Sequence, residues 1–250
     1  LLMRRVCVSL VLCLFVLSQD TFAFELEAGG GSEVLGEGFD DWRAYYIEFT
    51  ERPGPRKAIY GTFRRTERFS LDDNEAAVGV YYPLSDRVGV HSEGSLSPSH
   101  NILPRFSVLS EFEFKLKDGL LFHSGLRATE YTNASVLLGI FTIELYRGEY
   151  RAGYTFYPSH VPGVASEAGH RFQANYYYGE RNNSGLSYAF GKEAERVDSE
   201  RIAVTEITAV SLTGVHWSLK NWGLSYEIGV HSQGELYTRK GARVGVRRLF

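Results

Sequence analysis

The sequence predicts an all-β protein: a transmembrane, antiparallel, up-and-down β-barrel of about 14 strands, with 12 strands as the alternative. Three observations lead to this prediction. Tyrosine and phenylalanine each occur 16 times among 250 residues, and aromatic residues favour strands. Many short segments alternate between apolar and polar residues, which indicates half-buried strands. Turn-forming residues separate these segments, and no linker or repeat divides the chain.

The first 23 residues have the features of a secretory signal peptide. Arg4 and Arg5 precede an apolar run over 6–17, and a Thr-Phe-Ala sequence ending at Ala23 resembles a cleavage site. The run is too short to span a bilayer as a helix, which requires about 20 residues. We therefore expect cleavage after Ala23 and a single barrel domain over 24–250.

The composition excludes several classes of site. The formal net charge of −3 argues against nucleic acid as a partner, because such proteins carry a strongly basic face. Cys7 and Cys13 are the only cysteines, and both would leave with the signal peptide. We therefore expect neither disulfides nor cysteine-bound metals in the exported protein, and we expect no cofactor.

The clearest strand covers 106–116, where Phe106 and Phe112 lie on one face and Glu111 and Glu113 on the other. An Asp-Gly pair follows directly, as a tight hairpin requires. The same pattern predicts strands over 24–28, 42–50, 58–69, 78–84, 88–96, 106–116, 120–131, 135–146, 150–157, 171–179, 185–191, 207–219, 222–230 and 242–250.

The lengths of the connections predict which ends of the strands share a side of the membrane. In outer-membrane barrels the periplasmic turns are short and the extracellular loops are longer. The first external loop is expected over 29–41. The count falls from 14 to 12 if the segments 24–28 and 42–50 do not join the barrel. The tight turns fall at 53–55, 85–87, 117–119, 147–149, 181–183 and 220–221. The longer connections fall at 97–105, 158–167, 193–203 and 232–239.

Charged residues recur on the face opposite the apolar one and are predicted to point into the lumen. They fit either a paired network that plugs the pore or a polar lining that guides a hydrophilic solute, and the filled interior is preferred because barrels of this size commonly fill with side chains. A soluble periplasmic β-sandwich is the alternative fold, but its dry core would not tolerate these charges. The candidate lumen charges are Glu111, Glu113, Arg127, Arg151, Arg171, Glu227 and Arg243.

The ends of the chain and its order of motifs resemble a known family. Asp41-Trp42 opens the second strand, the segment 64–69 ends the third, Tyr-Tyr-Pro-Leu follows at 81–84, and the closing strand ends on Phe250. In this order the chain resembles the YaiO-type outer-membrane β-barrels. The resemblance implies a barrel in the bacterial outer membrane, with Phe250 as its assembly signal. Arg248 stands where such closing strands usually carry an apolar or aromatic residue.

Residues that could support catalysis are sparse. Histidine and serine are adjacent at 91–92, 123–124 and 231–232, but neighbours on a strand point to opposite faces and cannot form a base and nucleophile pair. Acidic pairs at 40–41 and 72–73 fall in predicted external loops, where carboxylates are common in turns. These residues are the only basis for the alternative to a non-enzymatic barrel, which is an outer-membrane hydrolase acting on lipid or peptide.

The expected function is that of a non-enzymatic barrel in the bacterial outer membrane, either structural or a narrow conduit for a polysaccharide or small polar solute. A soluble periplasmic binding protein is the further alternative. The expected partners are outer-membrane lipid and lipopolysaccharide, together with the barrel-assembly machinery. Trp217 and Trp222 flank the predicted turn at 220–221, where the aromatic girdle of such a barrel is expected.

Overall fold

The computed structural model describes residues 23–36, 40–163, 166–196 and 202–250, which form fourteen antiparallel strands closed into a barrel. This confirms the up-and-down barrel and the count of 14 rather than 12. None of the described residues belongs to a helix long and apolar enough to cross a membrane. The strands are β1 (Ala23–Leu35), β2 (Trp42–Gly54), β3 (Lys57–Arg68), β4 (Leu71–Pro83), β5 (Val88–Leu96), β6 (Phe106–Lys117), β7 (Leu120–Glu130), β8 (Ser135–Arg147), β9 (Tyr150–His160), β10 (Glu167–Tyr178), β11 (Asn182–Arg196), β12 (Ile202–Leu219), β13 (Trp222–Gln233) and β14 (Tyr237–Leu249).

The first and last strands close the barrel by pairing with each other. Their register runs from Glu25 opposite Leu249 to Leu35 opposite Arg239. Next to the Glu25–Leu249 pair, the backbone N–H of Phe250 donates to the backbone carbonyl of Phe24 at 2.9 Å. Closure satisfies the backbone groups that an open edge would leave unpaired, which is a requirement for strands in hydrocarbon.

The outer face of the barrel is apolar over its whole circumference. In β6, Phe106, Val108 and Phe112 are exposed on this face, whereas Ser107 and Leu109 on the inner face are buried. A soluble protein rarely exposes an apolar patch larger than a few hundred Å², so this surface faces lipid. Exposed apolar side chains on the other strands include Tyr45, Ile47, Phe63, Val78, Leu126, Phe141, Phe172, Leu186, Val210, Ile228 and Val244.

Several strands are longer than the sequence pattern predicts. The first strand continues to Leu35 instead of ending at residue 28, so the predicted first loop over 29–41 is wrong in its beginning. β10 starts at Glu167 and β11 continues to Arg196. The apolar alternation marks only the part of each strand that lies in hydrocarbon. Backbone pairing continues past it through polar residues, which the alternation does not reveal.

The predicted tight turns and the longer connections lie at opposite ends of the barrel, and two short connections, 69–70 and 131–134, lie at the end with the longer ones. We call the end with the tight turns and residues Ala23 and Phe250 the turn rim, and the other end the loop rim. The segment 97–105, between β5 and β6, belongs to the loop rim. By the rule for bacterial barrels, the turn rim faces the periplasm and the loop rim the exterior. The predicted signal peptide lies almost wholly outside the described residues and stays a prediction.

Aromatic side chains ring the turn rim where the sequence places a girdle. Trp222 is exposed on the outer face, and the guanidinium of Arg248 lies 5.0 Å from its ring and 4.6 Å from that of Phe250. Trp217 lies beneath Arg181 at 4.5 Å. Cation–π contacts of this kind stabilise an arginine at an interface. These two contacts explain how an arginine is accommodated at position 248, where closing strands usually carry an apolar or aromatic residue.

A glycine makes room for a tyrosine ring on the inner face. Gly79 of β4 lies opposite Tyr60 of β3, and a Cβ atom at Gly79 would come within 2.2 Å of the Tyr60 Cζ atom. The ring therefore lies flat over the glycine, with its hydroxyl donating to Glu93 at 2.6 Å. In contrast, a Cβ atom at Gly94 would meet nothing within 4 Å.

We expect Gly79→Ala to lower the free energy of unfolding by about 1–3 kcal/mol, because the added methyl group displaces Tyr60 from its glutamate. Gly94→Ala is the matched control and is expected to leave stability unchanged. The measurement is the urea midpoint of the heat-modifiable band in gels of the refolded protein. Equal midpoints for the two variants would contradict this packing.

Candidate functional site

The inner face of the barrel carries the charged and hydrogen-bonding side chains. Fourteen strands spaced about 4.8 Å apart and tilted by about 40° enclose a backbone cylinder roughly 28 Å across. A side chain from one wall cannot reach the opposite wall of such a cylinder. The chemistry of the interior therefore depends on which neighbouring strands bring their side chains together.

The seam between β1 and β14 is held by a cluster around Glu27, which is buried. The Glu27 carboxylate accepts hydrogen bonds from the Tyr46 hydroxyl at 2.5 Å and the Ser225 hydroxyl at 2.6 Å. Arg247 forms ion pairs with Glu27 at 2.5 Å and with Glu25 at 3.1 Å. These contacts join β13, β14, β1 and β2 and reinforce the backbone pairing that closes the barrel.

A second cluster lies on β3, β4, β5 and β7, around Glu93. Its carboxylate accepts from the Tyr60 hydroxyl and forms an ion pair with Arg127 at 3.3 Å. The same hydroxyl lies 2.9 Å from Nε2 of His91. The His91 ring is stacked on Tyr81 with a centroid distance of 3.9 Å. The histidine is thus held by two tyrosines.

A third cluster spans β6 to β10 around Glu144, which is buried. Arg151 forms an ion pair with Glu144 and donates to the side-chain oxygen of Asn175 at 2.8 Å. His123 lies between two carboxylates, 3.4 Å from Glu111 and 3.8 Å from Glu144. Because all these groups are on consecutive strands, the cluster forms a polar band along the wall.

The seven charges singled out in the sequence lie on the inner face, but few of them pair with one another. Arg243 pairs with Glu227 at 2.8 Å. Glu113 pairs with Arg56 of the β2–β3 turn at 3.2 Å, and Arg127, Arg151 and Glu111 pair as described above. Arg171 makes no ion pair within the described part of the chain; its guanidinium lies 5.2 Å from the Tyr157 ring.

Sequence reasoning missed the acidic residues at the centres of these clusters. Glu27, Glu93 and Glu144 alternate with outward residues in the same way as the predicted charges, so the alternation could have identified their face. It could not have identified their partners. Glu27 and Ser225 are 198 positions apart in the chain and meet only because the first and thirteenth strands lie on either side of β14.

Two large cavities occupy the interior, and the described ion pairs do not cross it. The widest pair, Arg56 with Glu113, reaches from the β2–β3 turn to β6, whereas the opposite wall is seven strands away. One cavity of about 580 Å³ lies against β1 to β3 and β12 to β14 and extends to the loop rim. Another of about 600 Å³ lies against β2 to β7 at the turn rim.

The segment 97–105 folds inward at the loop rim because Asp73 holds it. Asp73 is fully buried, and its carboxylate accepts from the backbone N–H groups of Asn101 at 3.0 Å, Ile102 at 2.7 Å and Leu103 at 2.8 Å. Asp73 therefore has a structural role, which differs from the catalytic carboxylate considered for the pair at 72–73. The neighbouring Asp72 is exposed and pairs with Arg65 at 3.3 Å.

We expect Asp73→Ala to release the segment 97–105, because three N–H groups would lose their acceptor, and the two buried ones, of Ile102 and Leu103, cost about 1–3 kcal/mol each. Trypsin should then cleave after Arg105 in the folded barrel, whereas the unaltered protein resists. Asp72→Ala removes an adjacent carboxylate that does not bind the segment and is the control. Equal resistance of both variants to trypsin would contradict the role of Asp73.

The histidines do not form a hydrolytic site in the described residues. His91 and His123 contact tyrosine and glutamate on the inner face, away from the serines that follow them. His160 lies 3.1 Å from the Ser166 hydroxyl at the loop rim, but no described carboxylate orients this imidazole, as a base of this type requires. Among the described residues, no three His, Cys, Asp or Glu side chains come together as a metal site would require.

Comparisons with known proteins agree with this architecture. The YaiO membrane beta barrel domain matches residues 23–196. A bacterial polysaccharide outer membrane secretin is similar in structure, with a TM-score of 0.57 and 8% identity over 91% of this chain and 98% of that one. In-vitro folded OmpT, an outer membrane protein of Vibrio cholerae, has a TM-score of 0.51 and 11% identity over 94% and 100%.

At such low identity these structures show a shared fold alone. A search of curated proteins returned no match. The family match covers most of the chain, including the strands that carry Glu27, Glu93 and Glu144. Together with the closed barrel and its apolar outer face, it establishes the location as the bacterial outer membrane. This chain belongs to the YaiO membrane beta barrel family.

Proposed function

We propose that this outer-membrane barrel is a non-enzymatic conduit for a small polar solute or a polysaccharide. The observation that supports this most is the direction of the ion pairs, which run along the wall and leave two cavities of about 580 and 600 Å³ between the walls. The polar wall suits a hydrophilic solute, because the interior of outer-membrane channels is polar and water-filled.

The absence of an enzymatic role is part of the same proposal. Of the interior histidines, His91 and His123 are held by tyrosine and glutamate side chains and His231 by Gln233 and Arg239. The His160–Ser166 contact has no third group among the described residues to orient the imidazole. Purified, refolded protein should therefore show no turnover of lipopolysaccharide, phospholipid or peptide. Turnover that is lost on changing Ser166 to alanine would overturn this part of the proposal.

Single-channel recording in planar bilayers tests the conduit. The refolded barrel should give discrete current steps in salt solution, and the heat-denatured protein in the same detergent is the control. We expect Asp73→Ala to add current fluctuations, because the segment 97–105 would move at the loop rim. No current at any voltage would overturn the conduit and leave a structural role in the envelope.

A further inference from the structure

The cavity at the turn rim contains a tyrosine ring that is open to the lumen. Tyr81 of β4 lines this cavity of about 600 Å³ and is 45% exposed. The register places it between Ala58 on β3 and His91 on β5. His91 covers one face of the ring, because the two rings are parallel to within 5° at 3.9 Å. Ala58 is too small to cover the other face, and the Tyr60 ring lies beside it, tilted by 33° at 6.0 Å.

The charged side chains around this ring balance one another. Lys57, at the edge of the cavity, lies over the outward ring of Tyr82 at 5.1 Å. The charges on the inner face form pairs, which are Arg52 with Glu25 at 3.3 Å, Arg56 with Glu113 at 3.2 Å and His123 with Glu111 at 3.4 Å. Because neither sign of charge is in excess on this wall, the cavity is better suited to a neutral ligand than to an ion.

The paired groups keep hydrogen-bonding capacity for a ligand. Arg56 and Glu113 are both part exposed. Arg56 donates to Glu113 and to the backbone carbonyls of Ser85 and Asp86, which leaves part of its guanidinium unused. Among the described residues Glu113 accepts from Arg56 alone, although a carboxylate has about four acceptor sites. Donors and acceptors are therefore both present beside the open face of Tyr81.

We propose that this cavity binds a neutral oligosaccharide, with one pyranose ring stacked on Tyr81. The face of an aromatic ring is electron-rich, and the C–H groups on the flat face of a pyranose are positively polarised, so the two faces attract each other. The hydroxyl groups at the edge of the same sugar need both donors and acceptors, which Arg56 and Glu113 supply. The volume is within the range of small-molecule sites. The site rests on the proposed function, because a conduit brings the solute to the turn rim.

Isothermal titration of the refolded barrel, in a detergent without a sugar headgroup, tests the site without requiring conductance. The probe is cellotriose, whose glucose rings have flat C–H faces. Sorbitol is the control with hydroxyl groups but no ring, and the trimer of galacturonic acid is the acidic probe. We expect cellotriose to bind equally at low and high salt, because no ion pair with the ligand is screened. We expect sorbitol not to bind and the acidic trimer to bind no more tightly than cellotriose.

Tyr81→Ala should weaken cellotriose binding about tenfold, the loss expected for one aromatic contact. Tyr81→Phe keeps the ring and should bind cellotriose nearly as well as the unaltered protein. Tyr177→Ala is the matched control, because it removes another exposed tyrosine from the inner face of β10 at the same rim, outside the cavity. If Tyr81→Ala does not fold, Ala58→Leu places a side chain over the open face of the ring and should weaken binding to a similar extent.

Three results would overturn the assignment. They are unchanged cellotriose binding in folded Tyr81→Ala or Ala58→Leu protein, an equal loss in Tyr177→Ala, and tighter binding of the acidic trimer than of cellotriose. The outcome for the conduit is separate. A barrel that binds cellotriose but carries no current would overturn the conduit and leave the site, whereas current without cellotriose binding would overturn the site and leave the conduit.

Discussion

Glu27→Ala is expected to lower the free energy of unfolding by about 3 kcal/mol, the range found when one partner of a buried ion pair is removed. The buried carboxylate accepts from Tyr46 and Ser225 and pairs with Arg247. Without this carboxylate, Arg247 pairs with Glu25 alone. The contacts that link four strands at the seam are also lost. The measurement is the urea midpoint of the folded, heat-modifiable band.

Glu235→Ala is the matched control for this variant. Glu235 is exposed at the loop rim between β13 and β14, so its removal should leave the midpoint unchanged. Glu27→Gln keeps the shape and one acceptor and should fall between the two. If Glu27→Ala unfolds at the same urea concentration as Glu235→Ala, the seam cluster contributes nothing to closure.

Phe250→Ser is expected to reduce the amount of folded barrel in the outer membrane several-fold. We propose that the Phe250 ring is the group that the barrel-assembly machinery recognises. Its ring packs against Phe24 at a centroid distance of 5.7 Å and against Arg248, and it is more than half exposed on the outer face. The change removes these contacts at the turn rim, where the two end strands meet.

Leu219→Ser provides the control, because it removes an exposed apolar side chain from the same rim at a position away from the seam. Fractionation of cells and gel mobility with and without heating measure the folded barrel in the membrane. Normal amounts of folded Phe250→Ser protein would contradict the assignment. An equal loss in both variants would show that rim hydrophobicity, and not Phe250, determines assembly.

The sequence alone predicted the fold and the face on which each side chain lies, and it left the number of strands at 14 or 12. Alternation has a period of two residues and turn formation depends on two to four, so both are local properties of the chain. Counting turns back from Phe250 favoured 14. The ends of the strands could not be placed in this way, because β1 runs through Gly29, Gly30 and Gly31 without alternation.

Only the tertiary structure decided which side chains meet. The partners of Glu27, Arg127 and Arg151 depend on the register between strands and on the closure of β1 against β14, and a shift of one residue would move each of them to the lipid face. The lining of the cavity at the loop rim has the same origin. Its wall combines the first three strands with the last three, which are adjacent only because the barrel is closed.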